Sequence, residues 1–324
     1  MRRIAVTLML PLLAIGLLAG CLAGCGGSPA QSAASPAVTV SGAFGKAPSI
    51  TIPAQKATKT LTVKTVIHGT GPVLGKTDAF IGNYAIYIWS GTAHRLAQSS
   101  FAPPQHPTLF AGQLLPGLEK ALIGQKMGSR VLAVIPPKEA FGTAGNPQVG
   151  IKGTDTLVFV VDLIKSFKGN ASASGQQVSS GGGTLPKVTA ATGAAPKIKV
   201  PSSKPPAKLE TKVLVKGSGP AIKANQTVVV QYVGALWRSG KGNGTVFDAS
   251  WKRDQPFSFV IGSKPSQVIP GWDSGLVGQT VGSRVMLVIP PAQGYGKTGN
   301  SQAGIKPTDD LVFVVDLLGA FGAA

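Results

Sequence analysis

The stretch Leu311-Val312-Phe313-Val314-Val315-Asp316-Leu317 occurs twice, because residues 157–163 have the same seven side chains. Apolar runs of this length, rich in Val and Phe, are typical of buried β-strands. Around it, residues 113–164 align with residues 267–318 without a gap and share 30 of 52 positions. The sequence therefore predicts two copies of one domain, each of roughly 110–120 residues, a normal size for a single hydrophobic core.

Each copy has the pattern of an antiparallel sheet with one short helix. In the second copy, four runs rich in Val, Ile, Phe and Tyr are bounded by Gly, Pro and Asp, at residues 227–233, 257–261, 284–289 and 310–317. Residues 271–277 lie between Pro270 and Gly278 and are long enough for two helical turns. We predict an α+β fold for each copy.

The N-terminus has the pattern of an export signal. A basic start at Met1-Arg2-Arg3 precedes an apolar run that ends near Leu18. Two tetrapeptides follow, Leu18-Ala19-Gly20-Cys21 and Leu22-Ala23-Gly24-Cys25, and both resemble the lipobox of bacterial lipoproteins. We predict a lipoprotein signal over residues 1–25 and acylation of Cys25, with Cys21 as the alternative. The protein is then expected outside the cytoplasm, anchored to the bacterial cell membrane.

Two segments outside the copies predict disorder. Residues 26–45 are rich in Ala, Ser, Gly and Pro and carry no charged side chain, which is typical of a tether. Residues 169–205 contain Ser179-Ser180-Gly181-Gly182-Gly183, several prolines and lysines, and no acidic residue, which indicates a flexible linker. The two folded copies are then expected at residues 46–168 and 206–320.

Charge and composition narrow the function classes. The net charge is +19, from 31 Lys+Arg against 12 Asp+Glu, and such a field favours anionic surfaces. Aromatic content is 6%, without the basic-aromatic interleaving that stacks bases, so no nucleic-acid partner is expected. The chain has two cysteines, both in the signal region, which argues against disulfides, thiolate nucleophiles and cysteine metal sites in the copies. A monomer is expected, although the absence of coiled-coil heptads leaves the oligomeric state open.

Six motifs in order characterise the second copy. They are Val229-Val230-Gln231-Tyr232-Val233-Gly234, Val246-Phe247-Asp248-Ala249-Ser250, Pro256-Phe257-Ser258-Phe259, Val268-Ile269-Pro270-Gly271-Trp272, Gly294-Tyr295-Gly296 and the final strand from Asp310 to Leu317. With this order and spacing, the copy resembles the FKBP family of peptidyl-prolyl cis-trans isomerases. The resemblance implies two FKBP-like domains, each an antiparallel half-barrel sheet wrapped on a short helix with a shallow aromatic pocket between them.

The resemblance also implies which residues form the pocket. Trp272 would be its floor, and Asp248 would lie at the rim, tied to Tyr232 and Arg253. The Ile269 backbone N–H and the Tyr295 hydroxyl would hold substrate carbonyls. The implied catalytic set is Tyr232, Phe247, Asp248, Ile269, Trp272, Tyr295 and Phe313, and the implied substrate-binding set is Arg253, Phe257, Val268 and Ile305.

The chemistry of prolyl isomerisation fits such a pocket. Rotation about an X–Pro bond breaks amide resonance and crosses a barrier of about 18–20 kcal/mol. The twisted amide has less charge separation than the planar one, so a dry aromatic pocket binds it preferentially. No nucleophile, metal or cofactor is needed, and the second copy has no His or Cys. The expected substrates are proline-containing unfolded or exported polypeptides.

Other interpretations exist for the same residues. Each aromatic side chain taken alone could be ordinary core, and Asp248 could cap a turn. A non-catalytic chaperone or peptide-binding lipoprotein is the alternative function. A hydrolase would need Asp248 and Asp273 to face one cleft with separated pKa values, and nothing in their spacing supports that.

The first copy keeps the framework but changes the pocket. It has Tyr84, Phe110, Ile151 and Phe159 at matching positions. The replacements are Ala97 for Phe247, Gln98 for Asp248, Leu118 for Trp272 and Phe141 for Tyr295. We therefore predict that the first copy folds but is a weak or inactive isomerase.

Overall fold

The computed structural model describes residues 37–102, 106–238 and 244–322. The predicted signal with Cys21 and Cys25, and residues 26–36 of the predicted tether, lie outside the described residues. Within them the chain forms two large antiparallel sheets, one for each copy, and two short α-helices. No helix of this described part is long and apolar enough to cross a bilayer.

The first copy has eight strands and one helix. They are β1 (Thr39–Ser41), β2 (Ser49–Thr51), β3 (Thr62–Ile67), β4 (Ala79–Ser90), β5 (Ala93–Ser99), β6 (Thr108–Phe110), α1 (Pro116–Leu122), β7 (Arg130–Ile135) and β8 (Thr156–Phe167). The sheet order is β3-β7-β8-β4-β5, with β6 paired to β4. Proline at the first position of α1 has no N–H to leave unpaired, so it favours helix initiation there.

The second copy repeats this plan. Its elements are β9 (Gln176–Gln177), β10 (Lys187–Thr189), β11 (Lys197–Lys199), β12 (Glu210–Lys216), β13 (Thr227–Trp237), β14 (Thr245–Ala249), β15 (Phe257–Val260), α2 (Pro270–Leu276), β16 (Arg284–Ile289) and β17 (Asp310–Phe321). The sheet order is β14-β13-β17-β16-β12-β9, with β15 paired to β13. The predicted helix and the four predicted strands are all present, and the α+β prediction is confirmed.

Both faces of each sheet are apolar. Side chains alternate along β13, so Val230, Tyr232 and Leu236 pack towards α2, while Val233 and Ala235 point to the opposite face. The inner face closes on α2 and becomes the core that carries the pocket. The outer face would expose a continuous hydrophobic surface unless another segment covered it.

A β-hairpin arm covers the outer face in each copy. In the second copy, β10 pairs with β11 and buries Val188, Ile198 and Val200 on the sheet. In the first copy, β1 pairs with β2 and buries Val38 and Ile52 in the same way. Each arm is therefore part of the hydrophobic core of its own copy.

The arms correct two predictions of disorder. Residues 169–205 contain β9, β10 and β11 and pack on the second copy, so the predicted disordered linker is wrong. Residues 37–45, the end of the predicted tether, include β1. The sequence pattern was hidden because each arm strand is three residues long, and its buried side chain alternates with Lys, Thr or Ser. The folded copies thus begin earlier than residues 46 and 206.

Matching hydrogen bonds show that the arms belong to the repeat. Trp89 Nε1 donates to the Gln55 carbonyl at 2.9 Å, and Trp237 Nε1 donates to the Ser203 carbonyl at 3.2 Å. In both cases an indole at the end of a long central strand fixes the segment that leads out of the arm.

A buried ion pair recurs in both copies. Arg130 binds both carboxylate oxygens of Asp162 at 2.6 and 2.8 Å, and Arg284 binds those of Asp316 at 2.5 and 2.7 Å. The preceding segment completes each site, since Gly45 N–H donates to Asp162 at 2.7 Å and Ala173 N–H donates to Asp316 at 3.0 Å. Because such pairs are desolvated, additional hydrogen bonds to the carboxylate help to offset the cost of burial, and these two backbone N–H groups supply them.

The two copies also touch. Ile81 and Phe167 of the first copy pack with Val229 of the second, and Phe321 approaches Phe167 edge-on with ring centroids 6.0 Å apart. The end of β8 is thereby held beside the start of β13.

Candidate active site

The centre of the second copy is an aromatic cluster on the inner face of the sheet. Trp272, on the first turn of α2, lies 5.4 Å from the Tyr232 ring and 5.2 Å from the Phe313 ring, both edge-on. Phe257 of β15 is 5.8 Å from Tyr232. Edge-to-face packing of this kind is favourable and fixes the ring orientations. Trp272 is 3% exposed, which places it at the bottom of the cluster.

Phe247 completes the wall because a glycine faces it. Phe247 lies edge-on to Phe313, with centroids 5.5 Å apart. Gly234 of β13 is opposite, and a Cβ there would lie 2.7 Å from both of these rings. Any side chain at position 234 would therefore displace one of them.

The rim carries a charged network. The Tyr232 hydroxyl donates to Asp248 Oδ2, and Arg253 donates to Asp248 Oδ1 at 2.7 Å and to the Tyr232 oxygen at 3.0 Å. The Ala249 N–H also donates to Asp248, at 2.8 Å. Asp248 and Arg253 side chains are 39% and 49% exposed, so the network sits at the opening.

The pKa values of the rim follow from these contacts. Burial acts to raise the pKa of Asp248, but the hydrogen bonds from Tyr232 and Arg253 outweigh it and leave that pKa below its ordinary value. Burial and the hydrogen bond to Asp248 raise the pKa of Tyr232 far above its ordinary value. At neutral pH the rim is thus a carboxylate, a neutral phenol and a guanidinium.

Tyr295 and Ile305 border the other side of the pocket. Tyr295 precedes a short 3-10 turn, Gly296–Thr298, and burial raises its pKa, partly offset by a hydrogen bond with Asn300. Asn300 also accepts from the Ala303 N–H at 3.3 Å and so shapes this loop. Ile305 is 3% exposed and joins the aromatic cluster.

The segment before α2 presents a backbone donor. Val268 and Ile269 pack at the edge of the cluster, and the Ile269 carbonyl accepts from Trp272 N at 2.9 Å. Among the described residues, none accepts a hydrogen bond from the Ile269 N–H. The structure thus brings together all eleven residues that the sequence resemblance assigned to the pocket.

Asp273 does not face this site. Its Oδ1 accepts from Gly262 N–H at 2.8 Å, and its Oδ2 accepts from Ser266 Oγ at 2.6 Å. Asp273 fixes the loop before α2, so the carboxylate pair with Asp248 is not formed. In the parts of the chain that the structure describes, no group of three or more His, Cys, Asp or Glu could hold a metal ion.

The first copy has a different pocket. Gln98 Nε2 donates to the Tyr84 hydroxyl at 2.8 Å, where the second copy has the Asp248 contact. Ile86 pairs with Gln98 as Gly234 pairs with Asp248, so Ile86 occupies the position that must be glycine in the second copy. Ile86 packs on the core there.

One sequence match is corrected by the strand register. Phe110 pairs with Ala79, whose counterpart Thr227 pairs with Val260. Phe110 therefore matches Val260, because Ser100 and Ser250 are counterparts and the chain from Ser100 to Phe110 is as long as that from Ser250 to Val260. The first copy thus also lacks the Phe257 ring.

Sequence reasoning overlooked three residues of the second copy. Gly234 stood in a quoted motif, but its comparison with Ile86 was missed. Ser250 accepts from Tyr232 N–H at 2.8 Å and also donates to Gln231, and both side chains are completely buried. Buried polar side chains beside a pocket residue are the signal that could have identified them.

Comparison with known proteins places the chain in a family. The family model described as "FKBP-type peptidyl-prolyl cis-trans isomerase" matches residues 83–164 and 219–318. The "FK506-binding protein" of Streptomyces anulatus is 42% identical over 123 residues, which are 38% of this chain and 94% of that protein. The "FKBP-type peptidyl-prolyl cis-trans isomerase FkpA" of Escherichia coli K12 is 43% identical over 106 residues, 33% of this chain and 35% of that protein.

Parts of the chain are also similar to solved structures. The three FKBP domains of wheat FKBP73 match with 22% identity, covering 81% of this chain and 95% of that one, at a TM-score of 0.32. FkpA from Escherichia coli matches with 41% identity over 36% of this chain and 49% of that one, at a TM-score of 0.31. Whole-chain scores this low give no information on how the copies are arranged.

The family model, which covers more than half of the chain, and the curated relatives define a peptidyl-prolyl cis-trans isomerase of the FKBP type. The chain belongs to the FKBP-type peptidyl-prolyl cis-trans isomerase family, and it contains more than one FKBP domain. The predicted family and enzyme class are confirmed.

Proposed function

We propose that the second copy is the working isomerase and that it acts on X–Pro bonds through the pocket floored by Trp272. The observation that carries this proposal is the joint presence of the aromatic cluster and the Tyr232–Asp248–Arg253 network. A closed core needs no half-exposed ion pair at its edge, whereas a binding site for a polar peptide does.

The pocket favours the twisted amide by desolvation. A proline ring that packs on Trp272, between Phe257 and Phe313, would be removed from water together with its amide nitrogen. The planar amide is the more polar form and loses more hydration, so the barrier of about 18–20 kcal/mol falls. The Ile269 N–H and the Tyr295 hydroxyl are available to donate to substrate carbonyls and hold the peptide in one orientation.

The rim would position the peptide without reacting. Arg253 holds Asp248 ionised, and Tyr232 is fixed between them. No proton leaves or enters the substrate during rotation of an amide bond. We therefore assign these groups to orientation and to the local electric field.

The substrates we propose are proline-containing unfolded or exported polypeptides. The support is the N-terminal sequence, with its predicted export signal and lipobox-like tetrapeptides at Cys21 and Cys25. Acylation at Cys25 would anchor the protein at the outer side of the cell membrane, where the net charge of +19 favours anionic surfaces. Mass spectrometry of the mature N-terminus tests this, and an unmodified Met1 would contradict it.

The first copy is proposed to be a weak or inactive isomerase. Ile86, Gln98 and Leu118 replace the glycine, the acid and the tryptophan of the second copy. This leaves it as a folded partner of the second copy.

A pair of matched double variants in the full chain tests the assignment. Asp248→Ala with Trp272→Leu should lower kcat/KM for a proline peptide by about 10²-fold, or about 2.7 kcal/mol. Gln98→Ala with Leu118→Ala changes the matching positions of the first copy and should leave kcat/KM within about twofold. An unchanged rate in the first variant would favour the chaperone alternative, with catalysis absent from this pocket.

A further inference from the structure

The junction between the copies lies directly behind the pocket. β8 ends at Phe167, and Gly169 then packs against Asp254 of the second copy. A Cβ at Gly169 would lie 2.1 Å from the Asp254 carbonyl oxygen, so the approach requires glycine. Asp254 has a φ of 46° and directly follows Arg253, the arginine of the rim.

Buried hydrogen bonds connect this junction to Tyr232. Gln231 Nε2 donates to the Gly169 carbonyl, and Gln231 Oε1 accepts from Ser250 Oγ. Ser250 Oγ accepts from the Tyr232 backbone N–H at 2.8 Å. Gln231 and Ser250 are both 0% exposed, so water cannot replace a lost partner without rearrangement.

Ser250 also fixes the rim. It begins the short 3-10 turn Ser250–Arg253, which Arg253 ends, and Asp248 lies two residues before it. The position of this turn relative to Tyr232 therefore sets the geometry of the Asp248–Arg253–Tyr232 network. The junction contacts the turn at both ends, through Gln231 and Ser250 at its start and through Asp254 after its end.

The first copy has the same relay without its last partner. Tyr84 N–H donates to Ser100 Oγ at 2.9 Å, and Ser100 Oγ donates to Asn83 Oδ1 at 3.4 Å. Asn83 is 0% exposed, and its Nδ2 has no hydrogen-bond partner among the described residues. Asparagine at this position is thus compatible with the fold but does not complete the relay.

We propose that Gln231 and the Gly169 carbonyl are positioning groups for the isomerase pocket, through which the junction that follows β8 holds the rim network in its working geometry. The inference rests on the proposed function of the second copy. Neither group touches substrate, because Gln231 alternates with Tyr232 on β13 and faces away from the pocket. The junction with the first copy then contributes to the activity of the second, whatever the first copy's own activity.

Gln231→Asn in the full chain is the main test. The shorter side chain should lose the Gly169 carbonyl, and Asn83 shows that the fold accepts it. We expect kcat/KM for a proline peptide to fall about fivefold, mostly in kcat, with a lower unfolding midpoint because a buried hydrogen bond is lost. The matched control Asn83→Gln, in the first copy, should leave kcat/KM unchanged.

A second variant approaches the same contact from the other side. Gly169→Ala should push Asp254 away and lower kcat/KM by a similar factor. Gly112→Ala is its control, since the nearest atom to a new Cβ there is the Lys76 carbonyl oxygen at 3.3 Å. The double variant Gln231→Asn with Gly169→Ala should lose little more than either single one, because both break one relay.

The pH profile separates positioning from folding. Asp248 is faced by Tyr232 and Arg253, with Tyr295 nearby, and loosening Arg253 should raise the pKa of Asp248. The acid limb of kcat/KM should then move to higher pH in both variants. An unchanged kcat/KM overturns the proposal. So does a fall in kcat/KM that parallels a loss of folded protein and leaves the acid limb where it was. If Gly169→Ala does not fold, Gln231→Asn decides alone.

Asp248→Ala, measured in parallel, distinguishes failure of the proposed pocket function from failure of the positioning relay. If it leaves activity unchanged, the proposed function of the pocket fails. If it lowers activity while Gln231→Asn does not, the positioning relay alone fails.

Discussion

The two copies share a framework and differ in what fills it. Both have the long central strands, the proline-initiated helix, the outer arm and the buried arginine–aspartate pair. Only the second copy has a glycine facing Phe247 and Phe313, a tryptophan on the helix and an acid at the rim. The comparison teaches that fold and pocket depend on separate sets of residues, so one can change while the other is kept.

The largest expected effect comes from giving the second copy the side chain that fills the first. Gly234→Ile places a branched side chain where a Cβ alone would lie 2.7 Å from two rings. Activity in a proline peptide assay should fall by more than about 10²-fold, with a stability loss of about 1–3 kcal/mol from overpacking. Ile86→Gly is the matched control, and it should cost stability but leave activity unchanged. Full activity in Gly234→Ile would contradict the pocket geometry.

The next effect concerns the arms. Ile198→Ala removes a side chain that is 5% exposed against the outer face of the sheet, and should destabilise the second copy by about 2–3 kcal/mol in denaturant unfolding. Val178→Ala, at a side chain that is 55% exposed in the same segment, should change stability by less than about 0.5 kcal/mol. If both substitutions have equally negligible effects on stability, residues 169–205 do not pack on the second copy, and the interpretation as a disordered linker is favoured.

A smaller effect should appear with pH. The folded pKa of Asp248 lies below its ordinary value, so its network adds stability above the usual range of an aspartate and loses it as pH falls through the lowered pKa. Asp248→Asn should therefore be less stable than the parent at neutral pH, and the difference in their free energies of unfolding should become smaller as pH falls below about 4. Unfolding at several pH values measures this, with Gln98→Glu in the first copy as a comparison. A constant difference across pH would show that Asp248 is not held ionised by this network.

The smallest effect is expected from partial repair of the first copy. The double substitution Leu118→Trp with Phe141→Tyr is made in a chain that already carries Gly234→Ile in the second copy. It should raise the activity of that chain by no more than about twofold. Ile86 would still occupy the position that is Gly234 in the second copy, and Gln98 would still stand in place of Asp248. A large recovery would mean that the floor alone makes the site.

The sequence was sufficient for the family-defining parts of this account. Tyr232, Asp248 and Trp272 stand in ordered motifs that resemble the FKBP family, and this resemblance implied that they meet in space. The arms could not, because Val188 and Ile198 lie in three-residue strands where a period of two has no length in which to show. The role of Gly234 depends on cross-strand register, and the Gly169–Gln231 contact depends on how the copies dock. Neither is encoded in a local pattern.

The most direct test of the proposed pocket on Trp272 is to locate the site at which a proline peptide binds. The indole N–H signals of the full chain can be followed by NMR during titration with such a peptide, and Trp272→Leu assigns one of them. If the peptide binds on Trp272, the Trp272 signal shifts, while the signals of Trp89 and Trp237, which are hydrogen-bonded to backbone carbonyls just after the arms, do not. A peptide that is isomerised while Trp272 stays unchanged, or that shifts Trp89 instead, would contradict it.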